Sequence, residues 1–149
     1  MRIAVIRYNA GNIQSVSYAL ERLGASFEVT SDPEKIQTAD KVIFPGVGEA
    51  STTMRFLQEN GLNRLIMRLQ QPVLGVCLGM QLLCRFSEEN NTTCLGVFPV
   101  DVRKFGLNDN LKVPHMGWNS LGKISGWLPA SIQGEFTYFV HSFYVPVNA

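Results

Sequence analysis

Pro72-Val73-Leu74-Gly75-Val76-Cys77-Leu78-Gly79-Met80-Gln81-Leu82-Leu83 is the stretch on which the reading of this chain turns. Residues 73–76 are apolar and read as a buried parallel strand, and a helical pattern begins at once with Leu78. Gly75-Val76-Cys77-Leu78-Gly79 between them has the form of a Gly-x-Ser-x-Gly nucleophile elbow, with cysteine in the serine place. A nucleophile on so sharp a strand-to-helix turn takes strained dihedrals, and flanking glycines let neighbouring backbone pass close by. A helix that starts beside Cys77 turns its N-terminal amides toward the sulfur, which favours the reactive thiolate. The same five residues also suit a small thiol packed between strand and helix. Gln81, one helical turn above Cys77, adds a polar amide near the C-terminal edge of the sheet that can hold a polar substrate.

Upstream, Ile3–Ile6 is an apolar, β-branched run, and Ile13, Val16, Ala19, Leu20 and Leu23 recur at helical spacing before Gly24 closes the helix. Phe27–Thr30 reads as a second strand, stopped by Ser31-Asp32-Pro33, and residues 42–44 as a third that runs into Pro45-Gly46-Val47-Gly48. Residues 53–70 read as helix with a break at Asn60-Gly61. This rhythm of strands and helices implies an open parallel sheet with crossover helices, whose ligands bind beyond the C-terminal ends of the strands. Gly46, Val47, Gly48 and Cys77 all fall at that edge. A glycine-rich loop there can aim backbone N–H groups at an oxyanion, although a strand-to-helix turn that needs positive φ accounts for it equally well. Downstream the texture changes. Residues 95–102, 111–113 and 136–145 are strand-like, separated by Gly, Pro and Asn turns, and read as an extension of the sheet or a small sheet beside it.

Composition excludes several classes. The chain has 149 residues, enough for one domain with a real core, and its net charge of +1 with no basic run gives no basis for nucleic-acid or membrane binding. Three cysteines (Cys77, Cys84, Cys94) without a CxxC pattern suggest neither a disulfide frame nor a zinc site. No signal peptide or long apolar span is seen, so a cytoplasmic protein is expected.

Beyond the elbow, three segments carry a resemblance. Gly75-Val76-Cys77-Leu78-Gly79-Met80-Gln81 is similar to the nucleophile motif of the class I (triad) glutamine amidotransferases. Pro45-Gly46-Val47-Gly48, Lys112-Val113-Pro114-His115-Met116-Gly117-Trp118-Asn119 and Phe139-Val140-His141-Ser142-Phe143-Tyr144 resemble the glutaminase subunit of imidazole glycerol phosphate synthase. The resemblance implies a flavodoxin-like α/β fold: an open parallel sheet with helices on both faces, followed by a β-rich half. It implies hydrolysis of glutamine to glutamate and ammonia through a cysteine thioester, without metal or cofactor. It also implies a heterodimer with a (β/α)₈ cyclase subunit, which uses the ammonia in histidine biosynthesis. Carried over, Cys77 is the nucleophile, Val47 and Gly48 form the oxyanion hole, and Gly46, Gln81, Ser142 and Phe143 hold glutamine. Asn12, Trp118 and Asn119 belong to the partner interface. Tyr8, Gly11 and Asn12 keep the family's N-terminal turn, whereas Arg7 stands where the family usually has Asp.

The family's catalytic His and Glu come from a His-Pro-Glu motif, and this sequence has none. Its two histidines, His115 and His141, are followed by Met116-Gly117 and Ser142-Phe143 and are read as structural or interface residues. A cysteine without a base loses on the order of 10²–10⁴ in rate. The expectation is therefore an amidotransferase domain incomplete at its C-terminus and inactive by itself, with apolar surface uncovered near Ile3–Ile6 and a tendency to associate. A non-catalytic protein that keeps the cyclase-binding face is the alternative. An unrelated cysteine hydrolase is a third reading, against which Trp118 and its neighbours argue.

Overall fold

The computed structural model describes residues 1–8, 12–106, 112–124, 126 and 128–147. These group into two compact units, Met1–Arg103 with the residues from 145 onward, and Lys104–Tyr144, which are described separately.

The first unit is built on four parallel strands, β1 (Ile3–Ile6), β2 (Phe27–Thr30), β3 (Lys41–Gly46) and β4 (Val73–Cys77), in the order β2-β1-β3-β4. Between them run α1 (Ile13–Arg22), α2 (Pro33–Gln37), α3 (Ala50–Glu59) and α4 (Leu62–Ile66), and α5 (Leu78–Leu82) follows β4 directly. Alternation along the strands divides the core in two. Ile3 and Val5 pack with Leu20 and Val16 of α1, whereas Ala4, Ile6 and Phe44 pack with Ile36, Leu57, Leu62 and Leu82 from the other helices. Helices thus lie on both faces of the sheet, as expected. Each fully buried side chain of the size of Phe44 or Leu57 stabilises the fold by roughly 1.5–3 kcal/mol.

Local chemistry sets the helix ends. Asn12 Oδ1 accepts the Ser15 amide 3.2 Å away and caps α1. Asp32 caps α2, with Pro33 at the first helical position, a start signal the sequence reading took only as a strand stop. Gly61, at φ 69°, breaks the helical run between α3 and α4 at the expected Asn60-Gly61.

Two expectations about apolar surface are corrected. β1 is buried on both faces and is not uncovered near Ile3–Ile6. Exposure falls instead on β4, which is an edge strand of the sheet and not the buried strand expected: Leu74 is 43% and Val76 39% exposed. The apolar run there signalled a strand, but a run alone does not tell an edge from a centre.

After α5 the first unit adds a second small sheet, β7-β5-β6, from β5 (Cys84–Ser87), β6 (Thr92–Thr93) and β7 (Phe98–Lys104). Cys84 is buried in this sheet and not in the parallel one. The second unit contains β8 (His115–Ser120), antiparallel to β9 (Phe136–His141), and the short β10 (Phe143–Tyr144). The strand expected at 111–113 lies partly outside the described residues; Lys112 and Val113 are not in a strand, and β8 begins just after Pro114, which has no N–H to give to a ladder. No described helix is long and apolar enough to cross a membrane.

Candidate active site

Cys77 is the last residue of β4 and the N-cap of α5, with φ 54° and ψ −119°. A non-glycine residue at positive φ is strained and persists only where its surroundings impose it. The surroundings here are three close backbone approaches. A Cβ on Gly79 would lie 2.0 Å from the Phe44 carbonyl oxygen, one on Gly46 would lie 2.2 Å from the Gly79 nitrogen, and one on Gly75 would lie 2.6 Å from the Met80 Cα. Glycine at these positions lets β3, β4 and the first turn of α5 touch through their backbones. The chain must then leave β4 sharply at Cys77, and the thiol stays exposed.

Register brings the glycine loop to the cysteine. Gly46 pairs with Cys77 across β3 and β4, so Val47 and Gly48 follow directly at the same strand ends, both exposed, with Gly48 at φ 107°. Gln81 sits in α5 at 7% exposure. The first unit thus assembles Cys77, Gly46, Val47, Gly48 and Gln81 at the C-terminal edge of the parallel sheet.

Two residues support this loop in roles the sequence reading did not give them. Tyr8 is buried just beyond β1 and donates its hydroxyl to the Pro45 carbonyl at 2.6 Å, directly before Gly46. Burial, with the neighbouring Cys77 adding to it, pushes the Tyr8 pKa up, so the phenol keeps its proton as donor. Glu49 closes the other side of the loop. Its carboxylate accepts the Ser51 amide at 2.7 Å, the Thr52 amide at 3.0 Å, the Ser51 hydroxyl at 3.0 Å and Asn90 Nδ2 at 2.9 Å. Burial raises the Glu49 pKa, but the hydrogen bonds from Ser51, Thr52 and Asn90 together outweigh it and hold the carboxyl at about 2. A Glu immediately before Ala-Ser-Thr-Thr is a capping signal of modest strength, and it was legible.

The other thiols differ from Cys77. Cys84 and Cys94 are buried, which raises both pKa values, that of Cys94 to about 12. Arg7, where the expected pattern has Asp, lines a cavity of about 400 Å³ with Tyr8, Ser31, Phe56 and Asn60. No cluster of three or more His, Cys, Asp or Glu that could hold a metal is found among the described residues.

The second unit carries the remaining candidates. Trp118 is 68% exposed and packs edge-on against Tyr138 at a centroid distance of 5.4 Å. Alternation on β8 and β9 sends Met116, Trp118, Phe136, Tyr138 and Val140 to one face, and all five are exposed. A core tryptophan is excluded. On the opposite face Asn119 and the two histidines are joined by hydrogen bonds. Ser142 and Phe143 follow β9; the Ser142 carbonyl accepts the Phe105 amide at 3.2 Å and the Phe143 carbonyl accepts His141 Nδ1–H at 2.7 Å. Asn12 is exposed at the start of α1, and Gly11 lies outside the described residues.

A strained cysteine at a strand-to-helix turn, a glycine loop in register beside it and a parallel sheet that ends there together suit acyl transfer through a cysteine. The glutamine amidotransferase class-I family model matches residues 4–147. A crystal structure of a glutamine amidotransferase superposes with a TM-score of 0.75 over 98% of this chain and 75% of its own, at 17% identity, a likeness of fold. The chain belongs to the class-I glutamine amidotransferases. Within them it is 59% identical over 150 residues to the imidazole glycerol phosphate synthase subunit HisH of Bacteroides fragilis, a match that covers 99% of this chain and 76% of that one. HisH of Bacteroides thetaiotaomicron is 58% identical over 149 residues, and HisH of Idiomarina loihiensis 43% over 148, with 76% and 75% of those chains covered. At these identities the chain is a member of the HisH family.

Proposed function

We propose that this protein is the glutaminase subunit of an imidazole glycerol phosphate synthase, acting on glutamine in the cytoplasm and passing ammonia to a (β/α)₈ cyclase subunit in a heterodimer. The observation that carries the reading is the Cys77 elbow in register with the glycine loop. Cys77 Sγ attacks the side-chain carbonyl carbon of glutamine, and Val47 and Gly48 turn backbone amides to the oxygen as it becomes an oxyanion. The C–N bond breaks, ammonia leaves with a proton from a general acid, and water hydrolyses the thioester to glutamate and the free thiol. Gly46 and Gln81 hold the substrate in this reading.

The open apolar face of β8 and β9 is the docking surface in this reading, with Trp118 as anchor; Asn119, on the other face of β8, and Asn12, in the first unit, are each proposed as separate polar contacts with the partner. A Trp flanked by Tyr138 and Met116 on an exposed strand pair has the composition of an interface hot spot. All of residues 1–149 form one amidotransferase domain here, a view supported by the family match across both units. The general base is neither His115 nor His141, since all four of their ring nitrogens already have partners within the second unit. Assembled with the cyclase and its ligand, the protein is expected to release ammonia from glutamine, and Cys77→Ala to abolish that release. Ammonia release that survives Cys77→Ala would overturn this assignment.

A further inference from the structure

Arg7 stands directly beyond β1, and its amide extends the ladder to β2 by donating to the Thr30 carbonyl at 2.9 Å. Ser31 follows β2 in the same way, so the two strand ends open together on the cavity of about 400 Å³. Phe56, Asn60 and Leu62, at the junction of α3 and α4, close its other side. This is the C-terminal edge of a parallel sheet, where such folds take their ligands. The Arg7 guanidinium is exposed and makes no hydrogen bond or ion pair with a described residue. Among the described residues no carboxylate lines the cavity. Asp32, next to Ser31, accepts the Glu34 amide at 2.9 Å and is occupied as the cap of α2. The other polar walls are also engaged: Tyr8 donates its hydroxyl to the Pro45 carbonyl, and Asn60 Nδ2 donates to the Phe56 carbonyl at 2.8 Å. A ligand therefore meets one unpaired cation beside apolar walls from Tyr8, Pro33, Phe56 and Leu62.

We propose that the cavity beyond β1 and β2 is a binding site for a small organic monocarboxylate, its carboxylate held by Arg7 and its flat apolar body laid against Phe56 and Leu62. A guanidinium is planar and weakly hydrated, and its fork of N–H donors matches a carboxylate with two parallel hydrogen bonds. One cation among neutral walls balances one negative charge, which suits a carboxylate better than a phosphate dianion. Size agrees as well. An apolar cavity of roughly 150 Å³ accepts benzene, so one of about 400 Å³ takes a ring with a short acidic side chain. Cys77 is not among the residues that line the cavity, and the inference stands apart from the glutaminase reading.

Phenylacetate is the probe, titrated into the full chain and followed by proton–nitrogen NMR and calorimetry. Saturable shifts are expected at Arg7, Phe56 and Leu62, with a Kd on the order of 1 mM, the scale open to a ligand of this size. No saturable shift at these residues up to about 20 mM overturns the proposal. Phenylacetamide keeps the body and loses the charge, whereas acetate keeps the charge and loses the body. Each is expected to bind at least about tenfold more weakly than phenylacetate. Equal affinity for the amide removes Arg7 as the anchor, equal affinity for acetate removes the apolar wall, and either result overturns the site. Arg7→Met should weaken phenylacetate binding roughly tenfold or more, and Arg7→Lys by less, since it keeps the charge and loses the fork. Arg22→Met, in the last turn of α1 on the other face of the sheet, should leave binding unchanged. Parent affinity in Arg7→Met, or an equal loss in Arg22→Met, overturns the assignment. Both arginines are exposed, so these variants are expected to fold. Should Arg7→Met not fold, the comparison of phenylacetate, phenylacetamide and acetate on the parent protein decides.

Discussion

Replacing Gly79 by alanine should damage both the fold and the site, and by an amount the geometry bounds. The added Cβ would lie 2.0 Å from the Phe44 oxygen, 2.8 Å from the Phe44 carbonyl carbon and 3.1 Å from the Pro45 carbonyl carbon. All three are backbone atoms of β3, so no side chain can rotate out of the way. Ordinary contact begins near 3.4 Å, and α5 must therefore retreat from β3 by well over ~1 Å. Overpacking of this kind costs about 1–3 kcal/mol, and a clash with rigid backbone belongs at the upper end. The same displacement moves Cys77, since it caps α5, and a misplacement of about 1 Å at the reacting atom can cost on the order of 10²-fold in rate. Urea unfolding gives the first quantity and glutaminase kcat of the assembled complex gives the second. Gly122→Ala is the control, because its Cβ would meet nothing within 4 Å. A Gly79→Ala protein as stable and active as Gly122→Ala would refute the idea that backbone contact between β3 and α5 creates the elbow.

Trp118→Ala is expected to weaken cyclase binding by about 2 kcal/mol or more while leaving the urea midpoint unchanged, as suits a side chain that is already 68% exposed. Calorimetric titration against the cyclase checks the first part, and a lowered midpoint with intact binding would place Trp118 in a core. Tyr8→Phe removes the donor to a buried carbonyl and should cost roughly 0.5–1.5 kcal/mol, with a fall in kcat because Pro45 precedes the oxyanion loop. Glu49 has its pKa lowered in the fold, so its stabilising effect is complete above the ordinary value of 4.5 and is lost as pH falls toward about 2. Glu49→Gln should accordingly be less stable than the parent at pH 7 and equal to it near pH 2 in urea titrations; a gap that persists at pH 2 would remove the carboxylate charge as the cause.

The parallel half was legible because each strand there is a short apolar run closed by turn chemistry, as at Ser31-Asp32-Pro33 and Asn60-Gly61. Cys77 and its glycines were legible for a related reason, since one local turn demands all of them within five residues. The second unit follows different rules. On β8 His115 and Asn119 share the face of a hydrogen-bonded network while the large apolar Met116 and Trp118 lie open on the other, so 115–120 did not read as a strand. The histidine pair lies 26 residues apart in the chain, and only the antiparallel register brings the rings together. The Tyr8 bond to the Pro45 carbonyl spans 37 residues and has no sequence signature at all.

Selective labelling of the three thiols tests the central claim most directly. A diazo-ketone analogue of glutamine, added to the protein assembled with its cyclase and followed by mass spectrometry, should modify Cys77 well before the buried Cys84 and Cys94. Excess glutamine should slow that modification by competing for the same site. Labelling spread equally over the three cysteines, or labelling of Cys77 that glutamine does not slow, would contradict the assignment of Cys77 as the nucleophile of a glutaminase.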